Sequence, residues 1–313
     1  MIKVHFSSRP EQAAEWSDAL KKWRDELSVE FSLLEGEVDP EEVEALILNP
    51  RDGAQDLSAF AGARLIQSIW AGVEALMANP TLPDGPTLCR MSEPGLTEGM
   101  TDYVCGHVLR HHLDVDRSIR LSAAGEWRPR IPPLSRDRKV GILGLGALGE
   151  DAARMLARLR FDVAGWSRRP KSVDGVLCRH GADGLDEVVA RSEILVTILP
   201  LTDETRHVLN ARTLALAPEG AVVINPGRGP LIDDDAMLAA LDAGRIAHAT
   251  LDVFAEEPLP EDHPYWGHPQ VTVTPHIAAE TRTDTSARVA VEQIGRLAKG
   301  EPLLHIVDRS AGY

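Results

Sequence analysis

Cysteine is scarce. The chain has three in 313 residues, Cys89, Cys105 and Cys178, and their spacing matches no metal-ligand pattern. So sparse and odd a set excludes a disulfide framework and reads as reduced, partly buried thiols of a cytosolic protein. Positive charge is also in deficit, with 33 Lys and Arg against 48 Asp and Glu and a formal net charge of −15. Nucleic-acid binders show a clustered basic excess, so that class is excluded. An anionic substrate would have to meet a local positive patch against an unfavourable overall field. Apolar runs are short, none approaching the roughly 18 residues of a membrane span. The opening MIKVHFSSRP reads as a strand, not a signal peptide. Repeats and low-complexity tracts are missing too. What is there is 43% hydrophobic and 26% charged residues, enough for sizeable cores, over a length of about two domains. A cytoplasmic globular protein is expected.

Short apolar runs bounded by turn residues alternate with helix-like stretches. A first series comprises IKVHF, VEFSLL, ALILNP, RLIQSIW and PTLCRM, with the helical EQAAEWSDALKKWRDEL after its first member. A second comprises RKVGILGLG, FDVAGWS, ILVTILP, AVVINPG, RIAHATLDVF and VTVTPHI, with EDAARMLARLR and DDDAMLAALDAG helical. Strand–helix alternation with apolar strands predicts parallel sheets covered on both faces. Two series predict two α/β units, separated by a Pro-rich linker, GEWRPRIPPLSRDR. The C-terminal stretch from TRTDTS onward predicts a helix and an extended tail that return to the first unit. Asp233 reads as a helix cap with Asp234 and Asp235 favouring the N-terminal dipole, not as a metal site. His111 and His112 read as a surface or packing pair, and no metal site is expected.

KVGILGLGALGEDAARML places Gly144, Gly146 and Gly149 between an apolar strand and a helix. That context suits a dinucleotide: Gly144 for the tight turn, Gly146 for backbone approach to a pyrophosphate, Gly149 for close helix–strand packing. Ala147 and Leu148 open a helix whose N-terminus attracts phosphate. The following strand ends in Ser167, Arg168 and Arg169, with Lys171 close by, where an NAD-preferring site would carry Asp or Glu. Guanidinium groups can grip a 2′-phosphate, so NADP(H) is favoured, with NAD(H) possible.

Open parallel sheets bind ligands beyond the carboxyl ends of their strands. Four ends carry candidates: Pro200 after ILVTIL, Arg228 after AVVINPG, Glu257 after TLDVFAE and His276 after VTVTP. The glycines of GRG are expected to leave space for a ligand and let Arg228 project. Singly, each residue has an ordinary structural reading; together, behind a dinucleotide loop, they suggest a site.

At these motifs the chain resembles the D-isomer-specific 2-hydroxyacid dehydrogenases, within them the glyoxylate/hydroxypyruvate reductase A subgroup. GILGLGALG, LPLTDETRHVLN, INPGRGPLIDDDAMLAALDAG, LDVFAEEPLP, HPQVTVTPHIAAET and the terminal VDRSAGY carry the resemblance almost end to end. It implies an α/β fold of two Rossmann-like and flavodoxin-like parallel-sheet domains with an interdomain active-site cleft. Residues 1–98 plus 281–313 would be the substrate-binding domain and 99–280 the dinucleotide-binding domain. It implies that Arg228 binds the 2-oxo acid, that His276 protonates the carbonyl oxygen as hydride arrives, and that Glu257 holds the imidazole. Backbone N–H groups of Ala71, Gly72 and Val73 would bind the substrate carboxylate, with Trp70 shaping the pocket; a simple turn is the other reading. Asp252 would contact the nicotinamide carboxamide, and Met100 and Ala278 would lie near the cofactor. Ala278 stands where many members have Gly.

The implied activity is NADPH-dependent reduction of glyoxylate to glycolate and of hydroxypyruvate to D-glycerate. Reduction of a larger 2-oxo acid, or use of NADH, is the alternative within enzymes. Glu257, where Gln would be expected, disfavours formate-type dehydrogenation. A dinucleotide-sensing interaction protein on the same fold is the alternative outside enzymes, and the Arg–Glu–His set argues for turnover. The family implies a homodimer, with the helix around TDYVCGHVLRHHLDVDRSI as the contact.

Overall fold

The computed structural model describes residues 1–309; the last four residues of VDRSAGY, 310–313, lie outside the described residues. The chain forms two compact units, one of Met1–Leu96 with the segment from Thr281 onward, the other Thr97–Glu280.

In the first unit, β1 (Ile2–Ser7), β2 (Phe31–Leu34), β3 (Ala45–Leu48), β4 (Leu65–Ser68) and β5 (Thr87–Cys89) form a parallel sheet ordered β2-β1-β3-β4-β5. Every residue of β3 and β4 is buried, which a sheet covered on both faces requires. Helix Pro10–Glu26 starts with a proline at its first position, where the missing N–H costs nothing. It buries Trp16 and Leu20, and Trp16 stacks on Phe6 of β1 with ring centroids 4.7 Å apart. Helix Thr283–Lys299 lies against it through Asp284, which meets Lys22 Nζ at 2.6 Å and the Trp23 indole N–H at 3.2 Å. Gly300, with φ +68°, ends that helix, and the tail then bridges antiparallel onto β5 at Cys89 and Ile306.

The second unit holds β6 (Lys139–Leu143), β7 (Asp162–Ser167), β8 (Leu177–His180), β9 (Ile194–Thr197), β10 (Ala221–Asn225), β11 (Ile246–Leu251) and β12 (Val271–Val273). They form one parallel sheet, β12-β11-β10-β9-β6-β7-β8. Strand addition reverses direction beside β6, so the chain leaves a crevice between the ends of β6 and β9.

Three details differ from the sequence expectation. The edge strand β8 was not foreseen, because LCRH has no buried residue and no apolar pattern to announce it. The Pro-rich stretch separates the two strand series but falls inside the second unit, which already begins at Thr97 with most of helix Pro94–His112. Third, the glycines of GRG do not leave ligand space. A Cβ on Gly229 would sit 2.0 Å from the Phe254 carbonyl carbon, and one on Gly227 would sit 2.7 Å from Thr197 O. They are glycines so that the loop after β10 can pass against neighbouring backbone.

Asp233 caps helix Asp234–Asp242 by accepting the Ala236 N–H at 3.1 Å. His112 is buried edge-on against Phe161, and His111 bonds Thr250, so both are packing groups. The three cysteines are free. Among the described residues, no helix is long and apolar enough to cross a membrane and no His, Cys, Asp or Glu group could hold a metal.

Candidate active site

The glycine loop joins β6 to helix Ala147–Arg158. Gly144 has φ +109°, and a Cβ there would lie 2.3 Å from Ile198 O; one on Gly149 would lie 1.8 Å from Gly144 O. Only glycine lets the turn pass under the exit of β9 and lets the helix close on the turn. Gly146 is different: a Cβ there would point into open space. It is the helix N-cap without a side-chain cap, and the first intrahelical bond is Glu150 N–H to Gly146 O at 2.8 Å. The preceding first-turn N–H groups of Ala147, Leu148 and Gly149 have no intrahelical acceptor, the arrangement that suits a phosphate.

Beyond β7, Ser167 Oγ donates to Arg169 O at 2.8 Å. Arg168 Nη1 lies 3.3 Å from Glu204 and Lys171 Nζ 2.8 Å from Glu150, all at the surface. The Lys171 hydrogen bond, aided by Arg154, holds the Glu150 carboxyl below the usual carboxylate range. Three cations thus stand past the strand end, two of them already meeting carboxylates. Gly146, the first-turn N–H groups and these cations fit a dinucleotide carrying an extra phosphate.

At the other strand ends, His276 Nδ1 lies 2.7 Å from Glu257 Oε2, the side chains being 50% and 25% exposed. Burial alone would raise the Glu257 pKa. Hydrogen bonds from His276 and from the Phe254 N–H, 2.9 Å away, outweigh burial and hold it below the ordinary value. A carboxylate fixed on Nδ1 leaves Nε2 as the nitrogen turned outward. Arg228, half-buried, sends Nη1 to Gly227 O at 2.7 Å, while Asn225 Nδ2 donates to Arg228 O at 3.0 Å. Arg228 also adds a weak field that lowers Glu257 further. Pro200 O accepts the Thr205 hydroxyl at 2.7 Å, fixing the loop after β9.

Asp252 is fully buried, its carboxylate accepting from Thr274 Oγ1 at 2.5 Å and from the N–H groups of Ile277 and Ala278 at 2.9 Å each. Met100 and Ala278 belong to one core cluster with Leu145 and Ala152. In the first unit, Trp70 to Val73 form the turn after β4. Ser68 Oγ accepts the Trp70 N–H at 3.0 Å, and the Arg51 guanidinium lies over the Trp70 ring at 5.9 Å. Among the described residues no acceptor is found for the N–H groups of Ala71, Gly72 and Val73, as an anion-binding turn requires.

A glycine-loop α/β unit with a carboxylate-bound histidine among its strand ends defines a nucleotide-dependent dehydrogenase. Residues 105–278 match the family described as D-isomer specific 2-hydroxyacid dehydrogenase, NAD binding domain, and the chain belongs to this family. A glyoxylate/hydroxypyruvate reductase A of Serratia proteamaculans (strain 568) is 39% identical over 79% of this chain and 80% of its own. Among solved structures, a D-isomer specific 2-hydroxyacid dehydrogenase from Xanthobacter autotrophicus Py2, in complex with NADPH and MES, is 40% identical with TM-score 0.92 over 99% of both chains. An NADPH-dependent glyoxylate/hydroxypyruvate reductase from Sinorhizobium meliloti, in complex with NADP and sulfate, is 33% identical with TM-score 0.90 over 100% of both.

Sequence reasoning missed the polar residues that join helix Pro94–His112 to β12 and its exit. Tyr103, Thr272 and Thr274 were read only as parts of a helix and an apolar strand. Their signal was faint: polar residues at period two in HATLD and TVT, and polar residues at helical spacing in YVCGHVLRHH.

Proposed function

We propose that this chain reduces glyoxylate and hydroxypyruvate with NADPH, giving glycolate and D-glycerate. The 2.7 Å Glu257–His276 pair, among the strand ends of the glycine-loop sheet, carries the reading. Similarity to NADPH-dependent reductases of these acids supports the substrate and cofactor. Gly144, Gly146 and Gly149 with the N–H groups of Ala147 and Leu148 would hold the pyrophosphate. Ser167, Arg168, Arg169 and Lys171 would hold the 2′-phosphate, and Pro200, Asp252, Ala278 and Met100 would border the nicotinamide. Bound NADPH supplies the hydride for the substrate's carbonyl carbon.

Arg228 orients the 2-oxo acid through its carboxylate and carbonyl oxygen; within the first unit, the turn at Ala71–Val73, beside Trp70, suits a carboxylate. His276 in its imidazolium form donates the Nε2 proton to the carbonyl oxygen. Glu257 retains the Nδ1 proton in its hydrogen bond, balancing the positive charge before transfer and fixing the neutral ring after it. The exposed side chains of Trp127 (95%) and Ile131 (93%), with Ile119 on the preceding helix, support self-association as a homodimer. A cytoplasmic location agrees with three free thiols and an NADPH requirement.

The test is NADPH oxidation at 340 nm with a panel of 2-oxo acids, repeated with NADH. Fastest turnover is expected for glyoxylate and hydroxypyruvate with NADPH. Cofactor binding without oxidation of any substrate would overturn the reading.

A further inference from the structure

Helix Pro94–His112 turns one face, Tyr103, His107, Arg110 and His111, toward a polar row on the sheet. The helical positions are spaced i, i+4, i+7 and i+8, and the row follows from strand alternation. His248, Thr250 and Asp252 share one side of β11 and its exit. Thr272 pairs with Thr250 in register, so Thr272 and Thr274 share that side from β12. Three rungs join helix to sheet: His111 Nε2 to Thr250 Oγ1 at 2.9 Å, Arg110 Nη2 to Thr272 Oγ1 at 3.0 Å, and Tyr103 OH to Thr274 Oγ1 at 2.8 Å.

The last rung leads to the histidine. The Thr274 hydroxyl donates to Asp252 Oδ1, so its only proton is committed and the Tyr103 hydroxyl must be the donor to Thr274. Asp252 in turn anchors three consecutive amides: its carbonyl accepts the His276 N–H at 2.8 Å, and its carboxylate accepts those of Ile277 and Ala278. His276 has φ +55°, a left-handed conformation that L residues with a Cβ rarely adopt. Such a conformation persists only where its surroundings impose it.

We propose that Tyr103 and Thr274 are positioning residues, whose two hydroxyls form a directed chain into Asp252 that holds His276 left-handed with its imidazole on Glu257. The inference rests on the reading of His276 as the proton donor. Tyr103 touches neither reacting group. Its hydroxyl acts by fixing which way the Thr274 proton points, and that fixes the Asp252 carboxylate under the amides.

Tyr103→Phe keeps the ring and removes only the first donor. Its kcat is expected to fall about ten-fold, with KM for NADPH changed less than about two-fold, the scale of one lost hydrogen bond. Thr274→Val is expected to lose more, and Thr274→Ser, which restores a hydroxyl, to recover most of it. A second readout needs no catalysis. Amide hydrogen exchange at Ile277 and Ala278 is expected to accelerate in Tyr103→Phe and Thr274→Val while the amides of β10 keep their protection. Unaltered exchange at those two amides, or wild-type kcat in both variants, overturns the proposal. Normal turnover in His276→Gln would sink the proton-donor reading, and the exchange measurement would still decide whether the hydroxyls hold the loop.

Discussion

Each unit contains a parallel sheet whose strand order reverses beside its first strand, and each therefore makes a crevice at the strand ends. The two crevices are finished in opposite ways. Between β1 and β3 the chain fills its own gap. Asn49, 4% exposed, sends Nδ2 to Gln12 Oε1 at 2.6 Å and accepts the Arg51 N–H at 3.0 Å. Gly53 sits so close that a Cβ would meet Ser7 O at 2.5 Å. Between β6 and β9, glycines bring backbone segments together, and Gly146 faces open space ahead of first-turn N–H groups that have no intrahelical acceptor. Topology provides a place; side-chain chemistry decides whether the protein occupies it or a ligand does.

The contrast predicts separable losses. His276→Gln should lower kcat by about a thousand-fold, within the range of general acid catalysis, while NADPH affinity by fluorescence titration stays near wild type. The paired substitutions Gly149→Ala and Gly146→Ala come next. The first forces a Cβ onto Gly144 O and should lower both melting temperature and NADPH affinity. The second meets nothing and should weaken NADPH binding, by about ten-fold, at unchanged melting temperature. Equal destabilisation by both would erase the distinction between a packed glycine and an open one. Arg168→Ala should raise KM for NADPH by about ten-fold and leave NADH unaffected, the size of one lost charge-assisted contact. Smallest in functional terms is Asn49→Ala. It should cost about 1–3 kcal/mol in denaturant unfolding, by orphaning buried polar groups, with kinetics unchanged.

Much of this was legible because it is local. Apolar runs of four to six residues announce buried parallel strands, and a strand–glycine–helix sequence announces its own turn. β8 escaped because an exposed edge strand needs no apolar pattern. The Glu257–His276 pair could be anticipated from two adjacent strand ends. The left-handed backbone of His276 could not, because its cause lies in Asp252, Thr274 and Tyr103. The Tyr103–Thr274 bond spans 171 positions, and no window of sequence contains both ends. GRG misled for a related reason: glycine spacing does not reveal whether the vacated volume faces solvent or another strand's backbone.

The acidic escorts of Arg168 and Lys171 have a consequence of their own. A free phosphate or chloride ion drifting to that corner finds Glu204 and Glu150 seated ahead of it, in a protein whose charge already repels it. A visitor moored simultaneously at the glycine turn can displace those carboxylates, since its phosphate is delivered at high local concentration. Selectivity at the corner then comes from tethering, and raising the ionic strength should loosen resident and newcomer alike.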